Sequence, residues 1–262
     1  MNWRGGIALV GKTLFSYTSS IGFFWTLALG WLMGPLIYMF VWLAASQEGP
    51  IAGYGQSDFI LYYVGLMLVN QLTYPCSHWT IGESIQSGTL SVWLLRPLAV
   101  LYEAVASDVA LKVVCFPFVV VIAAGLGFLF HIDPVPWSRV GPFLVFLVLA
   151  QIIRFMFAYT LALLSLWTQE ISALLKVNDT LVFLLAGQMV PTVLLPGMLG
   201  ELARLLPYRY MLGFPIEYLT GQLTGSEIMF GLRMQMGWAL VSIVVQQWVW
   251  QRGIRHYTAV GG

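Results

Sequence analysis

Eight residues near the start of the sequence have the letters of a phosphate-binding loop. Gly6, Gly11, Lys12 and Thr13 satisfy the pattern G-x-x-x-x-G-K-[ST], whose backbone amides and lysine bind phosphates. Such a loop must follow a buried strand and open a helix. Only five residues precede Gly6, and positions 7–10 are the apolar residues Ile-Ala-Leu-Val. We therefore interpret the match as a coincidence.

The amino-acid composition indicates a chain embedded in a lipid bilayer. Its 262 residues are 59% hydrophobic and 9% charged, whereas soluble domains carry roughly 25% charged residues. The 11 Trp and 12 Tyr suit the membrane–water interface. A net charge of +1 offers no electrostatic surface for nucleic acid. The sequence thus predicts an all-α integral membrane protein that contacts membrane lipids and not nucleic acid.

Six apolar runs are long enough to cross the hydrocarbon core, for which a helix needs roughly 20 residues. They lie at residues 21–45, 59–79, 109–130, 140–167, 177–195 and 231–250. None alternates with the period of a membrane β-strand, and the first is too long for the apolar region of a signal peptide. We expect about six transmembrane helices in a single domain, residues 1–262.

Basic residues predict which side of the membrane the termini occupy. If both termini are cytoplasmic, the inner side carries Arg4, Lys12, Arg96, Lys112, Lys176, Arg252 and Arg255. The outer side then carries only Arg139, Arg204, Arg209 and Arg233. This bias favours cytoplasmic termini.

Residues 1–20 predict a helix that lies on the membrane surface. The apolar residues that share one face at three- and four-residue steps are Trp3, Ile7, Val10, Leu14 and Tyr17. Arg4, Lys12 and Ser16 lie on the other side, as in an interfacial amphipathic helix. A disordered tail is the alternative, because each glycine weakens the helix by up to about 1 kcal/mol.

A second amphipathic segment, residues 80–97, joins the second and third apolar runs. The apolar residues at helical spacing are Ile81, Ile85, Val92 and Leu95. Gly88 can bend the backbone, and Pro97 disfavours helix at the residue before it. Such a segment suits docking into a groove of a partner protein. The alternative is an ordinary amphipathic loop.

The sequence E-S-I-Q-S-G-T-L-S-V-W-L-L-R-P-L, residues 83–98, resembles the cytoplasmic signature of ABC-2-type transporter permeases. In that family this stretch forms a coupling helix that contacts a separate ATPase subunit, on which ATP and magnesium bind. The resemblance assigns ATPase coupling to the matching positions, which are Glu83, Gly88, Leu90, Leu95, Arg96 and Pro97.

Four prolines interrupt residues 187–221, namely Pro191, Pro196, Pro207 and Pro215. Proline breaks a helix, and a broken helix at membrane depth is tolerated only where protein or a cavity covers its backbone. This region resembles the same permeases, in which the fifth span gives way to a re-entrant helical hairpin on the outer face. The overall pattern is most similar to small permeases that occur as paired subunits beside an ATP-binding protein.

Several polar residues fall inside the apolar runs. Arg154 lies near the middle of the fourth run, one turn after Gln151, and a charge at that depth costs at least about 2.5 kcal/mol. Arg154 either contacts the headgroup of a substrate or binds a neighbouring helix, and we favour the second role. Asn70, Gln71 and Gln188 could likewise line a pathway or bridge helices at a subunit interface.

No catalytic, cofactor-binding or metal-binding set emerges from the sequence. Ser77 and His78 lack an aspartate positioned to orient the histidine, and Cys76 and Cys115 show no metal-ligand spacing. The resemblance implies a permease subunit of an ATP-driven exporter in a bacterial inner membrane, working with a second permease, the same or paralogous. The alternative is an ATP-independent channel or secondary carrier.

Overall fold

The computed structural model describes residues 3–168 and 171–257, and these residues are almost entirely helical. The α-helices are α1 (Trp3–Thr18), α2 (Ile21–Ala45), α3 (Gln56–Thr73), α4 (Ser77–Gln86), α5 (Leu90–Leu94), α6 (Leu101–Leu129), α7 (Trp137–Leu163), α8 (Ile171–Leu185), α9 (Gly197–Leu205), α10 (Pro207–Met211), α11 (Gly213–Thr220) and α12 (Gly225–Gly253). Short 3₁₀ turns follow α7 and α8. This architecture confirms the predicted all-α fold.

Five helical stretches are long and apolar enough to span a membrane, at Ile21–Ala45, Gln56–Gln86, Leu101–Leu129, Trp137–Leu166 and Gly225–Gly253. They correspond, to within several residues at each end, to five of the six predicted runs. The remaining run, 177–195, begins inside α8, which is 15 residues long. Because Gly187 turns the chain with a φ of +88°, α8 ends at Leu185 instead of continuing to residue 195.

The second span forms the centre of the helical bundle. In its most apolar window 78% of the residues are buried, against 17–33% in the other four spans. The span is broken between α3 and α4, since Pro75 removes a backbone donor and Tyr74 adopts an extended conformation. One core cluster surrounds α3 and another surrounds α4 and α5, while a third joins Met67 of α3 and Cys76 at the break to α2 and α6.

Helix α1 runs without interruption through the G-x-x-x-x-G-K-T pattern, so no strand or open loop exists there. The helix packs against α6 through Gly6 and Leu9, both buried. Ile7 of the predicted apolar face is 55% exposed and does not take part in this contact. Gly6 replaces it at the contact since a Cβ there would lie 2.8 Å from the Tyr102 ring. Residues 1–2 of the predicted surface helix lie outside the described residues.

The segment from Gly187 to Gly221, here called the hairpin segment, packs against the first half of α12. The closest approach is at Gly231, where a Cβ would lie 2.0 Å from Cε2 of Phe214. Phe214 is buried and stands edge-on to the Phe146 ring of α7 at 5.1 Å. A glycine at position 231 therefore determines how closely α11 can approach the last span.

Two glycines of α12 provide a matched test of this packing. We expect Gly231→Ala to destabilise the protein by about 1–3 kcal/mol because Phe214 must move. Gly237→Ala should be neutral or stabilising by up to about 1 kcal/mol, since no atom lies within 4 Å of its Cβ position. The measurement is thermal unfolding in detergent, followed with a thiol-reactive dye that reports exposure of the buried Cys76 and Cys115. Equal transition temperatures for the two variants would contradict the packing argument.

Candidate functional site

The segment between the second and third spans folds as two short helices joined by a turn. Helix α4 ends at Gln86, and Gly88 adopts a φ of +76°, a conformation that side-chain-bearing residues rarely adopt. Helix α5 then ends at Leu94, just before Arg96 and Pro97. We call the predicted amphipathic segment, residues 80–97, the coupling segment. Its turn and its end fall where Gly88 and Pro97 were expected to interrupt the helix.

The coupling segment has one buried anchor and an exposed apolar tip. Leu90 is fully buried beside Ile81 and Ile85 of α4. The tip is formed by Val92, Leu94 and Leu95, which are 53%, 41% and 88% exposed. The four apolar residues at helical spacing thus divide into a buried pair, Ile81 and Ile85, and an exposed pair, Val92 and Leu95. The turn at Gly88 redirects the chain between the two pairs, and Leu90 takes the buried position after it.

The charged residues of the coupling segment are accessible. Glu83 is exposed and forms no ion pair with any residue in the described ranges. Nη1 of Arg96 lies 2.5 Å from Oε1 of Glu103, at the start of α6. Pro97 is exposed beside it. The segment thus presents a carboxylate on α4 with no ion-pair partner among the described residues, and a paired guanidinium directly after its apolar tip.

A buried polar cluster closes the break in the second span. The backbone N–H of Cys76, freed by the break, donates to Oδ1 of Asp108 at 3.2 Å. The other Asp108 oxygen accepts from Lys112 and, at 2.8 Å, from Nε2 of Gln151. Asp108 is 4% exposed. This aspartate therefore joins the broken second span to the third and fourth spans.

Arg154 lies one turn beyond Gln151 and binds the other side of the same break. Its Nη1 donates to Oδ1 of Asn70 at 2.8 Å and to Oγ1 of Thr73 at 2.9 Å. The guanidinium also stands 5.4 Å from the centre of the Tyr74 ring, within cation–π range. Within the described chain Arg154 therefore bridges helices through neutral partners, and no carboxylate lies within ion-pair distance.

Arg154 also borders a cavity of about 150 Å³ between α4, α7 and α8. Gln188 lines the same cavity, so two of the predicted pathway residues, Arg154 and Gln188, meet there. Asp179 of α8 lines it as well. Gln71 lies elsewhere on α3 and is buried, and its side-chain nitrogen has no hydrogen-bond partner among the described residues. The volume fits several water molecules at about 30 Å³ each, and it is too small for a drug-sized ligand.

The hairpin segment is organised around one buried carboxylate, Glu217 of α11. Its Oε1 accepts hydrogen bonds from the backbone N–H of Thr192 at 2.9 Å and from the Thr192 hydroxyl at 2.5 Å. Its Oε2 accepts from Nε and Nη2 of Arg209 at 3.2 and 2.8 Å. Burial acts to lower the pKa of Arg209, but the adjacent carboxylate outweighs it and the pKa is raised.

The four prolines mark the boundaries of the hairpin segment. Pro191 and Pro196 precede the 3₁₀ turn and α9, and Pro207 occupies the first position of α10. Pro215 lies inside the first turn of α11, where a missing N–H costs little. All four therefore occupy positions that allow short helices and prevent one long helix.

Sequence reasoning did not single out Asp108 and Glu217, although both are buried hydrogen-bond acceptors at chain breaks. Their signal was an acidic residue close to an apolar segment, a pattern that was interpreted as a span end. The described residues contain no group of three or more potential metal ligands.

The buried ion pair provides a sharp test of the hairpin segment. Glu217→Leu leaves Arg209 buried without a partner, which should destabilise the protein by about 3–5 kcal/mol. The double variant Arg209→Met/Glu217→Leu should recover much of that loss because no charge remains. Glu201→Gln is the control, since its exposed pair with Arg204 is worth less than about 1 kcal/mol. The thiol-accessibility assay measures the stability of all three variants. A Glu217→Leu single variant as stable as the wild type would show that Glu217 does not hold the hairpin segment together.

Comparison with known proteins identifies the family. A family model described as ABC-2 family transporter protein matches residues 29–261, from within the first span to the end of α12 and beyond. A search of the curated proteins and a search of the solved structures each return no significant match. The family match takes in far more than half of the sequence and agrees with the resemblance seen in residues 83–98. The chain therefore belongs to the ABC-2 family of transporter membrane proteins.

Proposed function

We propose that this chain is the permease subunit of an ATP-binding-cassette exporter, driven by a separate ATPase subunit that binds ATP and magnesium. Its family membership supplies the transporter context. The chain contributes spans and a coupling segment, while nucleotide chemistry takes place on the partner. Closure of the ATPase on ATP displaces the coupling segment, and this displacement changes the packing of the spans between two states.

The observation that carries this proposal is the exposed tip of the coupling segment. Leu95 is 88% exposed, and Val92 and Leu94 beside it are also exposed. Large apolar side chains grouped with exposed charges are typical of a protein interface. Arg96 directly follows the tip in the sequence, and Glu83 is exposed on the preceding helix α4. An ATPase groove that takes the tip and pairs with Glu83 accounts for all of these features.

A second permease subunit, the same or paralogous, is proposed to pack against α8. Lys176 and Asp179 are exposed and are the two charged residues of this helix. Lys176 belongs to the proposed cytoplasmic side, and Asp179 lies one turn further along the helix. A charge that faces lipid at depth costs at least about 2.5 kcal/mol, so the face that carries Asp179 requires protein or water. Asp179 also borders the cavity beside Arg154. We propose that substrate passes between the two subunits along this face and leaves beneath the hairpin segment.

The proposed orientation has both termini in the cytoplasm of a bacterial cell and the hairpin segment on the outer face of the inner membrane. In support, α1, the coupling segment and the end of α12 lie at one end of the bundle, where Tyr102 contacts Gly6 and Tyr257 contacts Gly88. The hairpin segment lies at the other end, where Arg139 donates to the carbonyl of Leu219. Six spans follow if α8 crosses the membrane together with the residues that flank it.

Truncating the tip should release the ATPase. We expect Leu95→Ala to lower the amount of ATPase that co-purifies in mild detergent by about tenfold, because truncating an apolar anchor at an interface costs 1 kcal/mol or more. The matched control is Leu144→Ala, the same change at a 52% exposed residue of α7. Quantitative mass spectrometry of the purified complex measures both variants. If wild-type chain elutes alone while other complexes survive, the channel or carrier alternative is favoured instead.

The Arg96–Glu103 pair distinguishes docking from internal support. If Arg96 contacts the ATPase, Arg96→Ala should reduce substrate-stimulated ATP hydrolysis several-fold, whereas Glu103→Ala should leave most of it. If the pair serves only to hold the coupling segment, both variants should lose the same amount. Glu83→Ala should behave like Arg96→Ala because Glu83 has no ion-pair partner among the described residues. Membrane insertion, measured in parallel, should not change in any of the three.

A further inference from the structure

The coupling segment is fastened to the end of the last span by one tyrosine. Tyr257 lies four residues beyond the end of α12, and its hydroxyl donates to the backbone carbonyl of Gly88 at 3.3 Å. The same hydroxyl lies 2.8 Å from the hydroxyl of Ser91. Since a phenol has one proton to donate, Ser91 can supply the second bond to the Tyr257 oxygen. Both contacts lie at the turn that separates α4 from α5.

The residues at the end of α12 are packed against the core, so a bond from Tyr257 can transmit movement to the helix. The Tyr257 ring is half-buried and packs against the cluster that contains Leu90 and Val249 of α12. At Gly253 a Cβ would lie 2.4 Å from Cδ1 of Leu166, so the last turn of α12 presses against the end of the fourth span. Residues 253–257 therefore form a packed connection between α12 and the coupling segment.

The first half of α12 is bonded just as closely to the hairpin segment. The buried Gln235 amide donates to the carbonyl oxygens of Tyr210, at 3.0 Å, and Phe146, at 2.9 Å. The indole N–H of Trp238 donates to the carbonyl of Leu205 at 2.9 Å. Helix α12 is continuous over 29 residues, about 43 Å at 1.5 Å per residue. One unbroken helix thus contacts the coupling segment at one end and the hairpin segment at the other.

We infer that Tyr257 is a positioning residue that couples the coupling segment to α12, so that displacement of the segment moves the last span and, through Gln235 and Trp238, the hairpin segment. This inference rests on the proposed function for the source of the displacement. A continuous helix suits the task because it moves as a rigid body, whereas the second span is interrupted at Pro75. Displacement of the coupling segment is therefore transmitted through α12 and not through the interrupted second span that leads directly into the segment.

Hydrogen exchange in the purified full chain tests the tether without any ATPase. Tyr257→Phe removes the hydroxyl and keeps the ring, and exchange of residues 87–95 should rise about three- to tenfold. Ser91→Ala should give a smaller rise that does not add to that of Tyr257→Phe. The matched control is Tyr102→Phe at the same end of the bundle, where the hydroxyl bonds to no described residue. Unchanged exchange in Tyr257→Phe would overturn the tether.

A label on the hairpin segment tests transmission in the complex with the co-purified ATPase. Met198 is 76% exposed on α9, whereas Cys76 and Cys115 are buried. A Met198→Cys variant therefore takes a spin label selectively. With ATP and vanadate the label's spectrum should shift, and Tyr257→Phe should at least halve that shift while the amount of co-purifying ATPase stays constant. Gln235→Leu should have the same effect from the other end of α12.

The outcomes separate the inference from the function on which it rests. A full label response in Tyr257→Phe, or no response in the labelled wild-type complex, overturns transmission through α12 even though the ATPase is bound. Failure of the wild-type chain to retain an ATPase overturns the proposed function, and the exchange experiment on the chain alone still decides whether Tyr257 holds the coupling segment.

Discussion

The structure depends on one constraint, which is that a helix broken inside an apolar medium must have its backbone groups satisfied by the protein itself. Each break recruits a buried polar side chain from elsewhere in the chain. Asp108 accepts the N–H of Cys76 at the break in the second span. Glu217 accepts the N–H of Thr192 beyond α8, and Tyr62 donates to the carbonyl of Gly187. The packing of the spans follows from where these partners must meet.

Two buried arginines illustrate how differently the chain handles charge. Arg209 is paired with Glu217, which also binds Thr192, so this ion pair holds together three parts of the hairpin segment. Arg154 donates to the neutral oxygens of Asn70 and Thr73 and stands over the Tyr74 ring, beside a small cavity. A closed ion pair fixes one packing, whereas a cation held by weaker neutral partners can exchange them when the helices move. The hairpin segment is thus held by a buried ion pair, whereas the break at Pro75 is closed by Asp108 on one side and by the neutral contacts of Arg154 on the other.

The coupling segment combines exposure with firm attachment. Its apolar tip is accessible to a partner, while Leu90 and Tyr257 hold its base against the core and the last span. A segment with only the exposed tip could bind a partner without moving the spans. A segment with only the buried base could not be reached. Both properties together are what a transporter subunit needs if its energy comes from another chain.

The sequence by itself determined that the chain is helical, apolar and membrane-spanning, and it predicted the interruptions at Gly88 and Pro97. These properties depend on composition and on residues next to each other, which act locally in any tertiary context. The tertiary structure alone decided that Asp108 and Glu217 close the chain breaks, that Gly6 and not Ile7 packs α1, and that α8 ends at Leu185. Cys76 and Asp108 are 32 residues apart, and Thr192 and Glu217 are 25 apart. A periodicity of three to four residues cannot encode such pairings, because they exist only after the helices have packed.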